Sequence, residues 1–377
     1  MKLGGMTWWR YNYGSILQAY ALQSELKELG IDDYEIICQY GKKVASISNL
    51  KEKIKRIGVR QSLKRIVWKF GLKKLRDRNR NIQSFVDNYL HVSQKEYNEE
   101  NIVEANNVYD GFVCGSDQIW NPKLTDVNSM YWLTFASKEK LKFSYAPSIG
   151  VDKFSDEQKE AIKNNLSSFK GISSREENGT NLINDALGAN KCVTVLDPTL
   201  LVDRKIWDNI SLSENQYGEK YIFVYMLRGT KKQRKLIEEF AKLKGLKIVT
   251  MPFLDNEKIE IYDFKFGDIK LWDASPADFI TVIRNAEYVF TDSFHCMLFS
   301  CMYHRDFYTF PKIGQAQINR MLNFQKLVSA SEHMISNEID VNEIENVKRI
   351  DWNYVDSILN DKRKESEAYL KSVLDVK

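Results

Sequence analysis

Four short stretches of this 377-residue chain carry side chains that could do chemistry. The densest is Thr291-Asp292-Ser293-Phe294-His295, which follows the apolar run 288–290 and precedes an apolar, sulfur-rich segment ending at Cys301. Thr, Asp and Ser are the residue types that cap helix N-termini, where unpaired N–H groups and the positive end of the dipole attract anions. The pattern therefore puts His295 in the first turn of a helix at the carboxyl end of a strand, where open α/β sheets bind their ligands. A histidine there can exchange protons near neutral pH, or it can be a capped structural residue. The other stretches are Asn12-Tyr13-Gly14, Ser116-Asp117-Gln118 and the neighbourhood of Arg175, each placed after a predicted strand in the same way. Asp117 offers a carboxylate for general-base work, with a plain turn residue as the alternative. Arg175 stands at a predicted helix start, where a cation opposes the dipole and so wants an anionic partner.

The elements that must position these groups follow from periodicity and punctuation. A strand over 2–7, a turn ending at Gly14, a helix over 15–29 stopped by Gly30 and a strand over 34–38 make a βαβ opening. Strands over 108–114, 142–146 and 192–196 continue the rhythm, with helices over 155–169 and from about Arg175 onward. A second α/β half begins near Lys220, with strands over 221–227, 247–251, 288–290 and 307–310. Its helices are expected over 230–244, 276–285 and 318–328, and a polar amphipathic helix over 354–374 closes the chain. We therefore divide the chain into 1–205, 206–345 and a C-terminal helical segment, 346–377. Two consecutive α/β sheets imply a cleft between them, with the candidate groups at the carboxyl ends of strands.

Composition narrows the class. Hydrophobic residues make up 43% and charged residues 28%, as in a soluble globular enzyme. No run approaches the roughly 18 apolar residues that span a bilayer, and the N-terminus does not read as a secretory signal. The five cysteines include no CxxC pair and mostly end apolar runs, so a reducing, cytoplasmic setting is expected. No cluster of His, Cys, Asp and Glu has metal-ligand spacing, and no metal is expected. The net charge of +4 conceals an asymmetry: over 42–80, fifteen Lys and Arg stand against Glu52 and Asp77. Apolar residues at helical spacing over 47–90, punctuated by Gly58 and Gly71, predict two or three basic amphipathic helices. Their charged face is either merely solvated or rests peripherally on anionic lipid at the inner face of a membrane or on a lipid-linked substrate. Trp68 and Phe70 are too few to stack bases, so nucleic acid is not an expected partner.

Taken together and in order, several stretches resemble the polysaccharide pyruvyl transferase family. They are the run from Asn12-Tyr13-Gly14-Ser15 through Gln18 to Gln23, Gly115-Ser116-Asp117-Gln118-Ile119-Trp120-Asn121 and Ser144-Tyr145-Ala146-Pro147-Ser148. Ser173-Ser174-Arg175-Glu176, Asp197-Pro198-Thr199-Leu200-Leu201 and Thr291-Asp292-Ser293-Phe294-His295 complete the set. The resemblance implies an α/β fold of two Rossmann-like domains facing a cleft (GT-B-like), with the basic helical segment as an excursion in the first domain. It also implies transfer of a carboxyethylidene group from phosphoenolpyruvate to two hydroxyls of a sugar, on a cell-surface polysaccharide or its lipid-linked precursor. No cofactor beyond that donor is implied.

On this reading His295 matches the motif histidine; as imidazolium it would protonate the donor's methylene carbon or assist phosphate departure, and its neutral form would then accept a hydroxyl proton. The family's glycine-rich turn is here Cys114-Gly115-Ser116-Asp117, whose carboxylate would repel that of phosphoenolpyruvate but suits binding sugar hydroxyls or acting as a general base. Arg175 matches the motif arginine, whose planar fork can hold a carboxylate or a phosphate. Asn12, Tyr13, Gly14, Gln18, Ser116 and Ser293 would line the substrate site. The family's usual Arg-Leu-His is here Ser293-Phe294-His295, so the arginine two positions before the histidine is missing. Either Lys312 or Arg320 supplies that charge, or the donor is less anionic. The alternatives are a glycosyltransferase using a nucleotide sugar, which the same scaffold and Asp117 would serve, and a non-catalytic saccharide-binding relative.

Overall fold

The structure, a computed structural model, describes residues 1–10, 12–39, 61–211, 217–218, 220–253, 261–311 and 315–376; for 61–72, 261 and 315–317 it describes the backbone. Among the described residues, seven strands belong to the first half: β1 (Leu3–Met6), β2 (Tyr34–Cys38), β3 (Val92–Glu96), β4 (Gly111–Cys114), β5 (Leu141–Ser144), β6 (Ile172–Ser174) and β7 (Cys192–Thr194). The first five form a parallel sheet in the order β3-β2-β1-β4-β5. The parallel β6-β7 pair extends it, because Phe143 bridges to Gly171 and the Ser144 and Ser173 hydroxyls bond each other's backbone. The second half repeats the pattern with β8 (Tyr221–Tyr225), β9 (Lys247–Thr250), β10 (Ile269–Lys270), β11 (Tyr288–Thr291) and β12 (Asp306–Thr309), parallel in the order β10-β9-β8-β11-β12. Strand β8, Tyr-Ile-Phe-Val-Tyr, is buried along its whole length, as a strand covered by helices on both faces must be.

The helices of the first half are α1 (Tyr13–Glu28), α2 (Gln61–Tyr89), α3 (Asp156–Leu166), α4 (Glu177–Leu187), α5 (Pro198–Leu201) and α6 (Arg204–Ile210). Those of the second are α7 (Lys231–Lys244), α8 (Pro276–Arg284), α9 (Phe294–Met302), α10 (Gln315–Leu327), α11 (Val341–Glu345) and α12 (Trp352–Leu374). In each sheet the strand order reverses beside the first strand, between β1 and β4 and between β8 and β11. These are the two switch points at which such sheets bind ligands.

One continuous apolar core joins the halves. It takes Leu3, Val113 and Phe143 from the first sheet and Phe223, Val289 and Phe307 from the second. Helix α1 lies inside it, and the expected single apolar face is exceeded: Gly14, Ser15, Gln18 and Glu25 are buried along with the aliphatic residues. It also begins at Tyr13 rather than at Ser15, because the Asn12 side chain accepts from Gly14 N at 2.9 Å and caps it there. Helix α12 returns to the first sheet, where Tyr369 donates to Ser144 O at 2.7 Å and Ser366 Oγ accepts from Leu196 N at 2.9 Å.

Several expectations change. Strands β3, β6 and β10 fall outside the expected ranges, being polar or only two or three residues long. Strand β4 starts at Gly111, not 108, since Val108 closes a 3₁₀ turn over Ile102–Asn107 and is 44% exposed. The basic segment does not break at Gly71; residues 61–89 are one helix. A mid-helix glycine costs about 1 kcal/mol, less than the packing that an unbroken helix secures. Ile82, Phe85 and Val86 of α2 enter the main core, while Leu75 packs on Trp272 and Asn81 Nδ2 donates to Asp273 O at 2.7 Å. The helix thereby ties the first sheet to the second half. Gly58 and the rest of 40–60 lie outside the described residues. Among the described residues no helix is long and apolar enough to cross a membrane.

Candidate active site

The first wall of the cleft is the β1–β4 switch point. Thr7 Oγ1 donates to Ser116 O at 2.9 Å, and Gln18 Nε2 lies within 2.9 Å of Thr7 Oγ1, Trp8 O and Ser15 O. These bonds press the start of α1 against the turn after β4, where the Ser15 hydroxyl donates to Asp117 Oδ2. Asp117 itself has φ 73°, a left-handed conformation that costs a non-glycine residue on the order of 1 kcal/mol. The surroundings fix it: Ser148 N donates to its carbonyl at 2.7 Å and Gln118 N to its Oδ1 at 2.8 Å. Its carboxylate is therefore aimed, not free to swing.

Beside it lies a buried group of charges. Arg175, leaving β6, donates from Nη1 to Asp197 Oδ2 at 2.7 Å, and Ser116 Oγ donates to the same oxygen at 3.2 Å. The other oxygen of Asp197 accepts from Thr199 N and Thr199 Oγ1 and caps α5. His295 Nε2 stands 3.5 Å from Asp197 Oδ2. Burial alone would raise the Asp197 carboxyl, but His295 and Arg175 outweigh it and hold the group far below the usual carboxylate range. Glu176 Oε1 accepts from Ser148 Oγ at 2.5 Å and Ile149 N at 3.2 Å, while its Oε2 is 3.8 Å from Arg175 Nε.

Two guanidiniums share one aromatic ring. Arg175 Cζ is 4.6 Å and Arg320 Cζ 5.6 Å from the centroid of Phe294. Burial, and then the neighbouring Arg175, pull the Arg320 pKa down to about 10. Arg175 Nε and Nη2, Arg320 Nε and His295 Nε2 are buried and have no hydrogen-bond partner among the described residues. Orphaned buried donors of this kind are costly unless something else accepts from them.

His295 is set by β11 and α9. Thr291, Asp292 and Ser293, expected as helix caps, act otherwise. Thr291 Oγ1 donates to Tyr225 O at 2.6 Å and accepts from Ser293 N at 2.9 Å. The Asp292 carboxylate accepts from Leu227 N at 2.6 Å and Arg228 N at 2.8 Å, pinning the loop after β8. Ser293 occupies the N-cap position with no side-chain cap bond, so α9 opens with its N–H groups uncapped by side chains. Opposite stands Gly14: a Cβ there would lie 2.1 Å from His295 Nδ1 and 2.9 Å from His295 Cβ. Gly14→Ala should therefore displace the imidazole or lift α1. An activity loss of about 100-fold, with a melting temperature only a few degrees lower, is the expected outcome of paired kinetic and thermal measurements.

The structure thus brings Ser116, Asp117, Arg175, His295, Arg320 and the backbone of Gly14 together. Asn12 caps α1. Tyr13 stacks on Phe279 at 5.1 Å with its hydroxyl bonded to Ala274 O, so it joins the two halves. The Gln18 amide nitrogen is occupied in holding the Thr7–Trp8 turn. Lys312 lies outside the described residues. Two members escaped the sequence reading. Asp197 belongs to a stretch that only the resemblance singles out, with one oxygen capping α5 and the other in the charge cluster, and Glu176 to the predicted helix start after Arg175. Among the described residues no group of three or more His, Cys, Asp or Glu is placed to hold a metal ion.

Comparison with known proteins bears on the family and the fold. The family model described as polysaccharide pyruvyl transferase matches residues 12–311. No curated protein matches in sequence. Among solved structures, the UDP-GlcNAc 2-epimerase of Methanocaldococcus jannaschii, in complex with UDP-GlcNAc and UDP, is similar over 98% of this chain and 99% of its own, at 14% identity and a TM-score of 0.53. The UDP-N-acetylglucosamine 2-epimerase of Rickettsia bellii is similar over 100% and 96%, at 12% identity and a TM-score of 0.54. At such identities the likeness shows the fold alone: two Rossmann-like domains facing a cleft, the GT-B arrangement.

Proposed function

The chain belongs to the polysaccharide pyruvyl transferase family and is a transferase, and from that premise we propose that it moves a carboxyethylidene group from phosphoenolpyruvate to two hydroxyls of a saccharide. The observation that carries this reading is the pair of buried guanidiniums on Phe294, with N–H groups that have no partner among the described residues, beside His295 and Asp197. A small ligand with both a carboxylate and a phosphate would satisfy them. Arg320 would then supply the charge that Ser293 lacks.

The chemistry divides among the residues as follows. His295, as imidazolium held by Asp197, gives a proton to the methylene carbon of the donor, which becomes a methyl group and leaves the adjacent carbon electrophilic. A sugar hydroxyl attacks that carbon as Asp117 takes its proton. The second hydroxyl then replaces the phosphate at the same carbon, and its proton leaves with the phosphate. Two hydroxyl protons are lost overall; one replaces the proton given to the methylene and one ends on phosphate, so the ketal and inorganic phosphate balance the donor and the diol. Arg175 and Arg320 offset the charge on donor and leaving group.

Thermal unfolding with phosphoenolpyruvate, nucleotides and nucleotide sugars tests this directly. Phosphoenolpyruvate at 100 times its dissociation constant should add about 2.7 kcal/mol, or about 3 °C for a chain of this length, and the shift should vanish in Arg175→Ala. A shift with nucleotide sugars alone would sink the donor assignment. We further propose that the acceptor is lipid-linked and that the enzyme works at the cytoplasmic face of a membrane, touching anionic lipid through the basic residues of 42–80. Flotation with anionic vesicles at low salt, lost at high salt, is the expected result; no flotation at low salt would end that part of the reading.

A further inference from the structure

Trp8 and Tyr131 stand half-buried at the carboxyl edge of the first sheet, with their rings nearly perpendicular (88°) and 6.5 Å between centroids. Both backbones are held. The Trp8 carbonyl accepts from Gln18, and the preceding residue, Thr7, donates to Ser116 O, so Trp8 runs directly beside the turn that carries Asp117. The Tyr131 carbonyl accepts from Trp120 Nε1 at 3.0 Å and from Cys114 Sγ at 3.1 Å, and Trp120 stacks on Trp132 at 4.5 Å. Neighbouring aromatics in this layer, Trp9, Trp120 and Trp132, are fully buried, whereas these two keep part of their surface open to solvent. The result is a stiff corner of two aromatic planes on the wall that holds the proposed base.

We propose that Trp8 and Tyr131 form the subsite that receives one pyranose ring of the acceptor, an inference that rests on the transferase reading above. A pyranose has an apolar face of axial C–H groups and a rim of hydroxyls. The C–H face packs on the negative face of one ring, and the perpendicular ring limits sliding along it. The backbone bonds fix where each ring is rooted, the Tyr131 hydroxyl accepts from Gln39 Nε2 at 3.4 Å, and each ring has only two χ angles to order, so little side-chain freedom is lost on binding. The rim is then presented toward the cleft, where Asp117 can accept a hydroxyl proton.

Saturation-transfer NMR with methyl glucoside, galactoside and mannoside tests the corner, and the melting shift with phosphoenolpyruvate reports separately on the donor site. Transfer from protein to sugar ring protons is expected in the wild type. Trp8→Ala and Tyr131→Ala should weaken sugar binding about tenfold while keeping the phosphoenolpyruvate shift, and Trp8→Phe should restore most of the binding. Unchanged sugar binding in both alanine variants, or transfer to none of the three glycosides in a wild type that still responds to phosphoenolpyruvate, would overturn the proposal. Transfer to the base protons of UMP in place of the sugars would also overturn it, making the corner a nucleobase site. Sugar binding lost with Trp8 in a protein that ignores phosphoenolpyruvate would uphold the corner and sink the donor reading instead.

Discussion

His295→Ala should lower kcat for ketal formation by about a thousandfold and leave the phosphoenolpyruvate-induced melting shift largely in place. The imidazole Nε2 makes no hydrogen bond among the described residues, and α9 is held by Asp292, Thr291 and a core of Cys296, Met297 and Phe299 that the substitution does not touch. Folding should therefore survive, with a loss of a few degrees at most. What disappears is the imidazole that stands between the Arg175–Asp197 pair and the start of α1. Donor anions would still meet Arg175 and Arg320, so binding and chemistry separate in this variant. A collapse of both kcat and the melting shift would mean that His295 binds the donor and that proton transfer belongs elsewhere. A variant with near wild-type kcat would remove His295 from the chemistry altogether.

The contrast with Gly14→Ala is informative. Both changes act on the same imidazole, one by deleting it and one by crowding it. A shared kinetic defect with different melting temperatures would place the ring, not the α1 backbone, at the origin of the effect.

Sequence reading recovered four strands of each five-stranded sheet because these are short, largely apolar runs bounded by turn residues; it missed the outer strands β3, which is polar and mostly exposed, and β10, which is two residues long, and also the bounds of the three-residue β6. It also placed His295, Asp117 and Arg175 at strand ends, since position along a strand is a one-dimensional property. What it missed depends on three-dimensional arrangement. Asp197 has one oxygen in a helix cap and the other in the charge cluster, and only the cap leaves a pattern in neighbouring residues. The burial of α1 on every side could not be read from its composition, because the second half of the chain supplies the other wall: Phe279 under Tyr13, and His295 against Gly14. Gly71 misled for the opposite reason. Its local preference for ending a helix is real, yet packing of α2 against both halves outweighs it.

The second large effect concerns Asp197 itself. Asp197→Asn keeps the shape of the side chain and removes its charge, leaving Arg175, whose side chain is 2% exposed, without its closest counter-ion. Breaking a buried pair from one side costs about 3–5 kcal/mol, or about 5 °C in melting temperature for a chain of this length. The pH dependence carries the sharper signature. Because His295 and Arg175 depress the folded-state carboxyl against the pull of burial, the unfolded chain binds the proton more readily than the folded one. The stabilisation is therefore complete above the ordinary carboxyl pKa, 3.8, and is lost progressively as the pH falls below it. The gap in melting temperature between wild type and Asp197→Asn should be widest at neutral pH and should close as the pH drops below about 4. A gap that stayed constant down to strongly acidic pH would show that the variant perturbs packing and not the ion pair. In that case the cap on α5, and not the charge cluster, would be what Asp197 contributes to the fold.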